Sequence, residues 1–432
     1  MKQNHMFKKT MALMMALLLL GLAGCTGPKR TGETIDIITD EGKKTVPLIR
    51  LVTDVYWGQT NLNSALRTVP GNGREFHVSF EPLPRDEPAR DNYLTRMRAE
   101  MMAGKGPDVF LMDMTCSFKS LSANSGKLLD PLFRFPEQAM DNRLFLPLDE
   151  YMEASSTNYD AFRADLMEAC SNEEGQQILP LTYAVDTVPL KEGTYDFPEE
   201  STLTQQGMLE SGDLRLEYYA TFLNHMPLQY FGRDADYGKE ELTFTEDELY
   251  EQAMIWYEHW KRFDEGYYES IINSDGFDLG LGMFTKPEAG YDFFPARNRD
   301  DGVTAYVDIA GMINRNTCCP EYAFRVLETL SGESVMRDSA LYGCSGGLVA
   351  NTELGGPDKP LEWAMILDED PYASYRQVVD QVSVAKLPSC LEQAVYEMLH
   401  LPCARCEFED EEDVRAAVHK TYVTMQMMLA ES

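Results

Sequence analysis

One glycine-rich segment carries the residue types of a nucleophilic site. Residues 343–347 read Gly-Cys-Ser-Gly-Gly, which places Ser345 in a G-x-S-x-G pattern. In hydrolases this pattern forms a turn between a strand and a helix and exposes the serine. Here residues 348–351 continue the turn into a strand-like segment, and the two histidines that follow lie on helix-like segments without an orienting motif. We therefore interpret the segment as a glycine-rich loop and predict no catalytic residue.

The cysteines allow other chemistry. Besides Cys25 the chain has eight, and their pairing in disulfides cannot be deduced from the sequence. Cys403 and Cys406 form a C-x-x-C pair, but no second pair or histidine follows at the spacing of a zinc site, so a local disulfide or two free thiols is favoured. No metalloprotease, P-loop or dinucleotide-binding motif stands out. The sequence predicts neither a metal site nor a cofactor.

The composition restricts the possible partners. Of the 432 residues, 44% are hydrophobic and 25% are charged, which is typical of a globular protein. The formal net charge of -33 disfavours nucleic acid, because an acidic surface repels phosphate, and it excludes a polybasic membrane-binding surface. With 71 acidic residues, no pair of carboxylates can be singled out as that of a glycosidase. We interpret the acidity as a source of solubility.

The N-terminus has the organisation of an export signal. Its first residues include three lysines, and Met11–Leu22 is an apolar run too short to span a bilayer. The sequence Leu22-Ala23-Gly24-Cys25 resembles the lipobox of bacterial lipoproteins. The resemblance implies that residues 1–24 are a signal peptide and that the Cys25 thiol carries a lipid anchor. Residues 25–45 are predicted to be a flexible tether. The folded body is then expected outside the cell, anchored to the membrane.

The rest of the chain alternates strand and helix patterns. Predicted strands at 46–52, 76–81 and 107–113 flank a helix at 90–103, which indicates an α/β protein with parallel strands. An extended segment is predicted at 178–183, and Val303–Ile313 is strand-like. A long helix with a capping box is predicted at Thr245–Gly266. A helix that begins at proline is predicted at Pro320–Leu330, and a terminal helix at 413–429.

Several phrases, in order, resemble the extracellular solute-binding proteins of ABC importers, the sugar-binding group in particular. The first is the helix end and G-x-G-P-D turn of Met101–Phe110. The second is Leu146–Tyr151, and the third is Glu174–Leu181, near the first crossing between lobes. The Pro320 helix and the terminal helix also lie where that family has them. The tryptophan-rich passage of the family is poorly matched at residues 190–240.

This resemblance implies a periplasmic-binding-protein-like α/β fold of two lobes, each with a parallel-rich sheet flanked by helices, joined by a hinge of crossing strands. Lobe 1 would comprise residues 46–183 with 305–342, and lobe 2 residues 187–300 with 345–432. The ligand would lie in the cleft between them, at the carboxyl ends of the strands. Closure around the ligand would produce the form that docks on an ABC permease. The protein is expected to act as a monomer.

Candidate ligand-binding residues follow from the strand ends and the crossings. An aromatic ring can stack on the apolar face of a pyranose, while carboxylates bind its hydroxyl groups. The predicted set is Asp54, Tyr56, Trp57, Asp113, Tyr183, Asp186, Tyr306 and Asp308. A carbohydrate, and an oligosaccharide in particular, is the first choice of ligand, with peptides, polyamines and other cationic solutes as alternatives.

Two other functions are compatible with the same sequence. A binding protein of this fold that is not coupled to transport could act as a surface sensor or adhesin. A secreted, anchored hydrolase is the third class, and only the pattern around Ser345 supports it.

Overall fold

The computed structural model describes residues 32–39, 42–55, 59–115, 128–185, 187–191, 205–214, 216–217, 227–266, 291–336, 348–354 and 377–431. Four predicted functional residues lie outside these ranges: Cys25, Tyr56, Trp57 and Asp186. The loop around Ser345 also lies outside them.

The strands of the described residues are, in chain order, β1 (Thr34–Thr39), β2 (Gly42–Thr53), β3 (His77–Pro82), β4 (Val109–Asp113), β5 (Ser171–Asn172), β6 (Gly175–Gln176), β7 (Ile178–Pro180), β8 (Thr182–Val185), β9 (Thr187–Lys191), β10 (Ala235–Asp236), β11 (Glu241–Leu242), β12 (Tyr291–Pro295), β13 (Val303–Val307), β14 (Ile309–Ile313), β15 (Leu348–Val349) and β16 (Val382–Lys386).

The α-helices are α1 (Gln59–Thr68), α2 (Glu87–Met102), α3 (Pro136–Asp141), α4 (Asp149–Ala154), α5 (Ala164–Ala169), α6 (Gln205–Glu210), α7 (Glu246–Asp264), α8 (Pro320–Ser331), α9 (Glu333–Met336), α10 (Cys390–Val395), α11 (Leu401–Ala404) and α12 (Glu411–Ala430). Tyr396–His400 is a π-helix between α10 and α11, and short 3-10 helices lie at Tyr159–Ala161 and Gln229–Phe231.

The long helices begin where local sequence satisfies their first N–H groups. The Asp86 carboxylate accepts the Ala89 N–H at the start of α2, and Gly104 follows that helix with a φ of 71°. Thr245 and Glu248 form a reciprocal capping box at the start of α7. At the start of α12 the Asp410 carboxylate plays the same capping role. The predicted helices at these three positions, and the one at Pro320, are confirmed.

Two larger sheets organise the protein. The first has the order β1-β2-β4-β14-β7, with β3 paired to β2, and the second has the order β15-β8-β13-β16. Both sheets are mixed: β2 is parallel to β3 and β4, and β13 to β16, whereas the other pairs within them are antiparallel. The α/β class is confirmed. The expected predominance of parallel pairs holds only around β2 and at β16.

The chain passes between the two sheets at two adjacent points. At Leu181 it leaves β7 and enters β8, and at Asp308 it leaves β13 and enters β14. The Asp308 N–H donates to the Thr182 carbonyl at 2.9 Å, and the Leu181 N–H donates to the Ile309 carbonyl at 2.8 Å. The two crossings therefore lie side by side. Residues 303–313, predicted to be strand-like, form two strands rather than one, because the change of sheet divides them at Asp308.

Two groups of buried apolar side chains stabilise these layers. The first packs on the six-stranded sheet and includes Phe110 and Leu327, and it continues to β13 of the second sheet. The second lies among α7, α10 and α12 and is centred on the fully buried Trp256. Trp256 thus lies in a core, together with Leu249 and Ala253 of the same helix.

The tether prediction was wrong for part of residues 25–45. Thr34–Thr39 pairs with Gly42–Pro47 as an antiparallel hairpin. The Glu33 carbonyl accepts the Leu48 N–H at 2.8 Å, which extends this pairing by one residue along β2. No helix in the described part of the chain is long and apolar enough to cross a membrane.

Candidate ligand-binding site

The first two predicted site residues meet at the edge of the six-stranded sheet. Asp54 follows β2, and Asp113 is the last residue of the neighbouring strand β4. The Asp113 N–H donates to the Asp54 carboxylate at 2.7 Å, and the Arg90 guanidinium lies 3.7 Å from the other carboxylate oxygen. Burial raises the pKa of Asp54 to about 6, against the opposing effect of Arg90. Asp54 therefore fixes the position of Asp113.

A third predicted residue, Asp308, is joined to the same edge by two threonines. The Thr115 hydroxyl lies 3.0 Å from Asp113 Oδ1 and 2.8 Å from Asp308 Oδ1. The Thr182 hydroxyl donates to Asp308 Oδ2 at 3.0 Å. Asp308 has no exposed surface. The structure thus brings Asp54, Asp113 and Asp308 together, and Asp308 belongs to the crossing between the sheets.

A small cavity opens beside this edge. Its volume is about 10 Å³, room for about one water molecule. It is lined by the ends of β2 and β4, by residues 131–133, and by Pro388 and Ser389 in front of α10. Ser389 also caps α10, since its hydroxyl accepts the Leu391 N–H at 3.2 Å. Pro388 and Ser389 were not predicted from the sequence, because they follow no predicted strand end.

Tyr306 faces a buried ionic group on the other side of the crossing. The Lys386 ammonium lies 2.8 Å from Glu392, 3.1 Å from Asp234 and 5.2 Å from the centre of the Tyr306 ring. The Tyr306 hydroxyl donates to Glu392 at 3.5 Å. Burial alone would lower the pKa of Lys386, but Asp234 and Glu392 outweigh that effect and raise it. The ammonium is therefore charged, and it fixes Tyr306 in the sheet.

Tyr183 lies in β8, also at the crossing. Its side chain is buried, the Arg163 guanidinium lies 5.2 Å from its ring centre, and burial raises the pKa of its hydroxyl. It pairs with Val307 across the sheet. Tyr183 and Tyr306 are thus core residues of the second sheet near the three aspartates, and neither lines the cavity.

The described cysteines form no disulfide. This holds for Cys170, Cys318, Cys319, Cys390, Cys403 and Cys406. Among the residues that the structure describes, no three His, Cys, Asp or Glu side chains form a group able to hold a metal ion. The C-x-x-C pair closes a helix: the N–H of Cys406 donates to the Cys403 carbonyl at 2.9 Å, at the end of α11.

No protein-family model and no curated protein matches the chain, but solved structures do. A periplasmic oligogalacturonide-binding protein from Yersinia enterocolitica aligns over 89% of this chain and 99% of its own, with 13% identity and a TM-score of 0.56. A sugar transporter from Arthrobacter chlorophenolicus with bound laminaribiose aligns over 88% and 99%, with 11% identity and a TM-score of 0.55. A designed cysteine esterase aligns over 89% and 98%, with 13% identity and a TM-score of 0.55.

The chain has the fold of the extracellular solute-binding proteins. Two of the sequence phrases that resemble this group, Leu146–Tyr151 and Glu174–Leu181, contact each other in the structure. The Asp149 carboxylate, from the Leu146–Tyr151 phrase, accepts the Gln176 N–H at 3.0 Å, and the Leu148 N–H donates to the Gln176 carbonyl at 2.7 Å. The third phrase therefore docks on the second, directly before β7 leads into the first crossing. Because a designed esterase shares the fold, the fold by itself decides nothing about catalysis.

Proposed function

We propose that the protein is a lipid-anchored receptor that captures a small solute between two lobes and delivers it to an ABC permease. The observation that carries this proposal is the pair of adjacent crossings at Leu181 and Asp308, next to the strand-end carboxylates of Asp54 and Asp113. Adjacent crossings of this kind can act as a hinge. The sheet edge beside them, at Asp54 and Asp113, is where open α/β sheets bind ligands, and we call it the ligand edge. In this proposal lobe 1 comprises residues 46–183 with 305–342, and lobe 2 comprises residues 187–300 with 345–432.

A carbohydrate is the ligand class we favour. Three proteins of the same fold are described as binding oligogalacturonide, laminaribiose and mannotriose. Trp57 and Tyr56 directly follow Val55 at the ligand edge, and aromatic rings of that kind can stack on a sugar. The proposed activity is binding without catalysis.

Anchoring through Cys25 is a second part of the proposal. Two or three acyl chains hold a protein on a membrane, whereas one binds marginally. The expected result is that the exported protein partitions into detergent and a Cys25→Ser variant does not. Equal partitioning of both proteins would contradict the anchor and leave the receptor proposal intact.

The experiment that tests solute binding is a thermal-shift screen of the exported chain with Cys25→Ser. The panel contains laminaribiose, mannotriose, oligogalacturonides, short peptides and polyamines. A ligand at 100 times its dissociation constant stabilises the folded state by about 2.7 kcal/mol. A rise in melting temperature with the sugars alone supports the carbohydrate receptor, and a rise with peptides or polyamines alone corrects the ligand class. No rise with any compound favours the surface sensor or adhesin.

A further inference from the structure

The Thr115 hydroxyl lies between two carboxylates. Its oxygen is 3.0 Å from Asp113 Oδ1 and 2.8 Å from Asp308 Oδ1. A hydroxyl group carries one proton and donates it to one acceptor at a time, whereas an ionised carboxylate can only accept. Thr115 therefore has two alternative hydrogen bonds of similar length, and each excludes the other.

The two acceptors belong to different parts of the molecule. Asp113 lines the cavity at the ligand edge, and its carboxylate also accepts the Thr115 N–H at 3.1 Å. Asp308 lies in the crossing, where its other carboxylate oxygen accepts the Thr182 hydroxyl at 3.0 Å and its carbonyl accepts the Met114 N–H at 2.6 Å. Thr182 lies in the other crossing, directly after Leu181. One proton thus connects the ligand edge with both crossing strands.

We propose that Thr115 couples occupancy of the ligand edge to the stiffness of the crossing. A ligand hydroxyl that donates to Asp113 supplies the proton that Thr115 otherwise gives. Thr115 then donates to Asp308, which binds both threonine hydroxyls and holds the two crossing strands more firmly together. Thr115 is a positioning residue in this scheme, since it acts through Asp308. The role of the ligand rests on the proposed function, but the coupling of Asp113, Thr115 and Asp308 is a property of the unliganded protein.

A double-mutant cycle without ligand tests the coupling. Asp113→Asn replaces one charged acceptor by a neutral amide oxygen, so the Thr115 proton should turn to the charged Asp308, the stronger acceptor. The measurement is hydrogen–deuterium exchange by mass spectrometry at peptides that cover residues 178–185 and 303–313, normalised to a peptide from α12. Exchange at the crossing is expected to slow about threefold to tenfold with Asp113→Asn, the range of one hydrogen bond.

The second arm repeats Asp113→Asn in a protein that carries Thr115→Val, which keeps the shape and removes the hydroxyl. The effect on exchange should disappear there and return with Thr115→Ser. If Thr115→Val does not fold, Thr115→Ala serves in its place. Slowing of equal size with and without the hydroxyl, or no slowing in either background, would overturn the proposal. Because the cycle uses no ligand, a silent sugar screen counts against the proposed function alone, and a failed cycle counts against the coupling alone.

Discussion

The ammonium of Lys386 lies 2.8 Å from a carboxylate oxygen of Glu392, and both side chains are almost completely buried. Breaking a buried ion pair leaves one charge without compensation and costs about 3–5 kcal/mol. Lys386→Met should therefore lower the free energy of unfolding by that amount in a urea titration, because Glu392 and the nearby Asp234 would lie in the core without a compensating cation.

The matched control for this substitution is Lys239→Met. Lys239 lies 2.6 Å from Asp236, but its side chain is 69% exposed. Solvent screens an exposed pair of this kind, so the control should unfold almost as the parent protein does. Equal losses in the two variants would mean that the burial of Lys386 does not determine its contribution.

A comparison of two glycines can distinguish the cost of backbone strain from the cost of steric overlap. Gly175 has a φ of 111° and Gly42 a φ of 112°, so an alanine at either adopts an unfavourable conformation. A Cβ at Gly175 would also overlap Oδ2 of Asp149, whereas a Cβ at Gly42 meets no atom within 4 Å. Gly42→Ala should cost about 1 kcal/mol and Gly175→Ala about 2–4 kcal/mol of unfolding free energy. If chemical denaturation gives the two variants the same loss, Asp149 moves aside at no cost.

Local patterns predicted the elements that end at the candidate site. The strands before Asp54 and Asp113 are recognisable from apolar runs and turns of a few residues, and α2 and α7 from their caps and glycines. The sequence did not predict contacts between distant residues. Lys386 and Asp234 are 152 positions apart, and nothing in either neighbourhood indicates the other.

The same limit applies to two further features of the strands. Thr34–Thr39 is rich in β-branched residues, as strands are, but it is short and alternates exposed with half-buried positions, so the absence of a long apolar run led to the tether prediction. The break at Asp308 depends on which neighbours each half of the segment finds, β8 and β16 before it and β4 and β7 after it. Asp308 is the polar residue at the break, but its position alone does not show which strands each half will pair with.

Burial of His259 should make a destabilising contribution in mild acid, whereas Asp54, with its raised pKa, contributes in the opposite direction. Burial, with smaller contributions from His400 and Arg262, lowers the pKa of His259 from 6.5 to about 3. Its contribution to stability is complete above pH 6.5 and is lost as the pH falls from there towards 3, since only the unfolded chain takes up the proton. Between pH 7.5 and 4.5 the loss is about 2–3 kcal/mol.

Urea unfolding of the parent protein and of His259→Gln at both pH values measures that contribution. The difference in unfolding free energy between the two proteins should shrink by the same amount as the pH falls. His419→Gln is the control, because His419 is 66% exposed and binds Glu246 at the surface. A difference that stays constant with pH would show that His259 keeps an ordinary pKa.

Trp57 offers the most direct test of a sugar at the ligand edge. It follows Asp54 by three positions, beyond the last described residue of that segment, Val55. If its ring stacks on a sugar, Trp57→Ala should weaken binding by about 1–3 kcal/mol in a titration with the best sugar of the screen. Trp256→Phe is the control, since Trp256 is fully buried in the second core and should change stability but not affinity. Unchanged affinity in Trp57→Ala would remove Trp57 from the site, while a loss confined to that variant would place the sugar at the carboxyl end of β2.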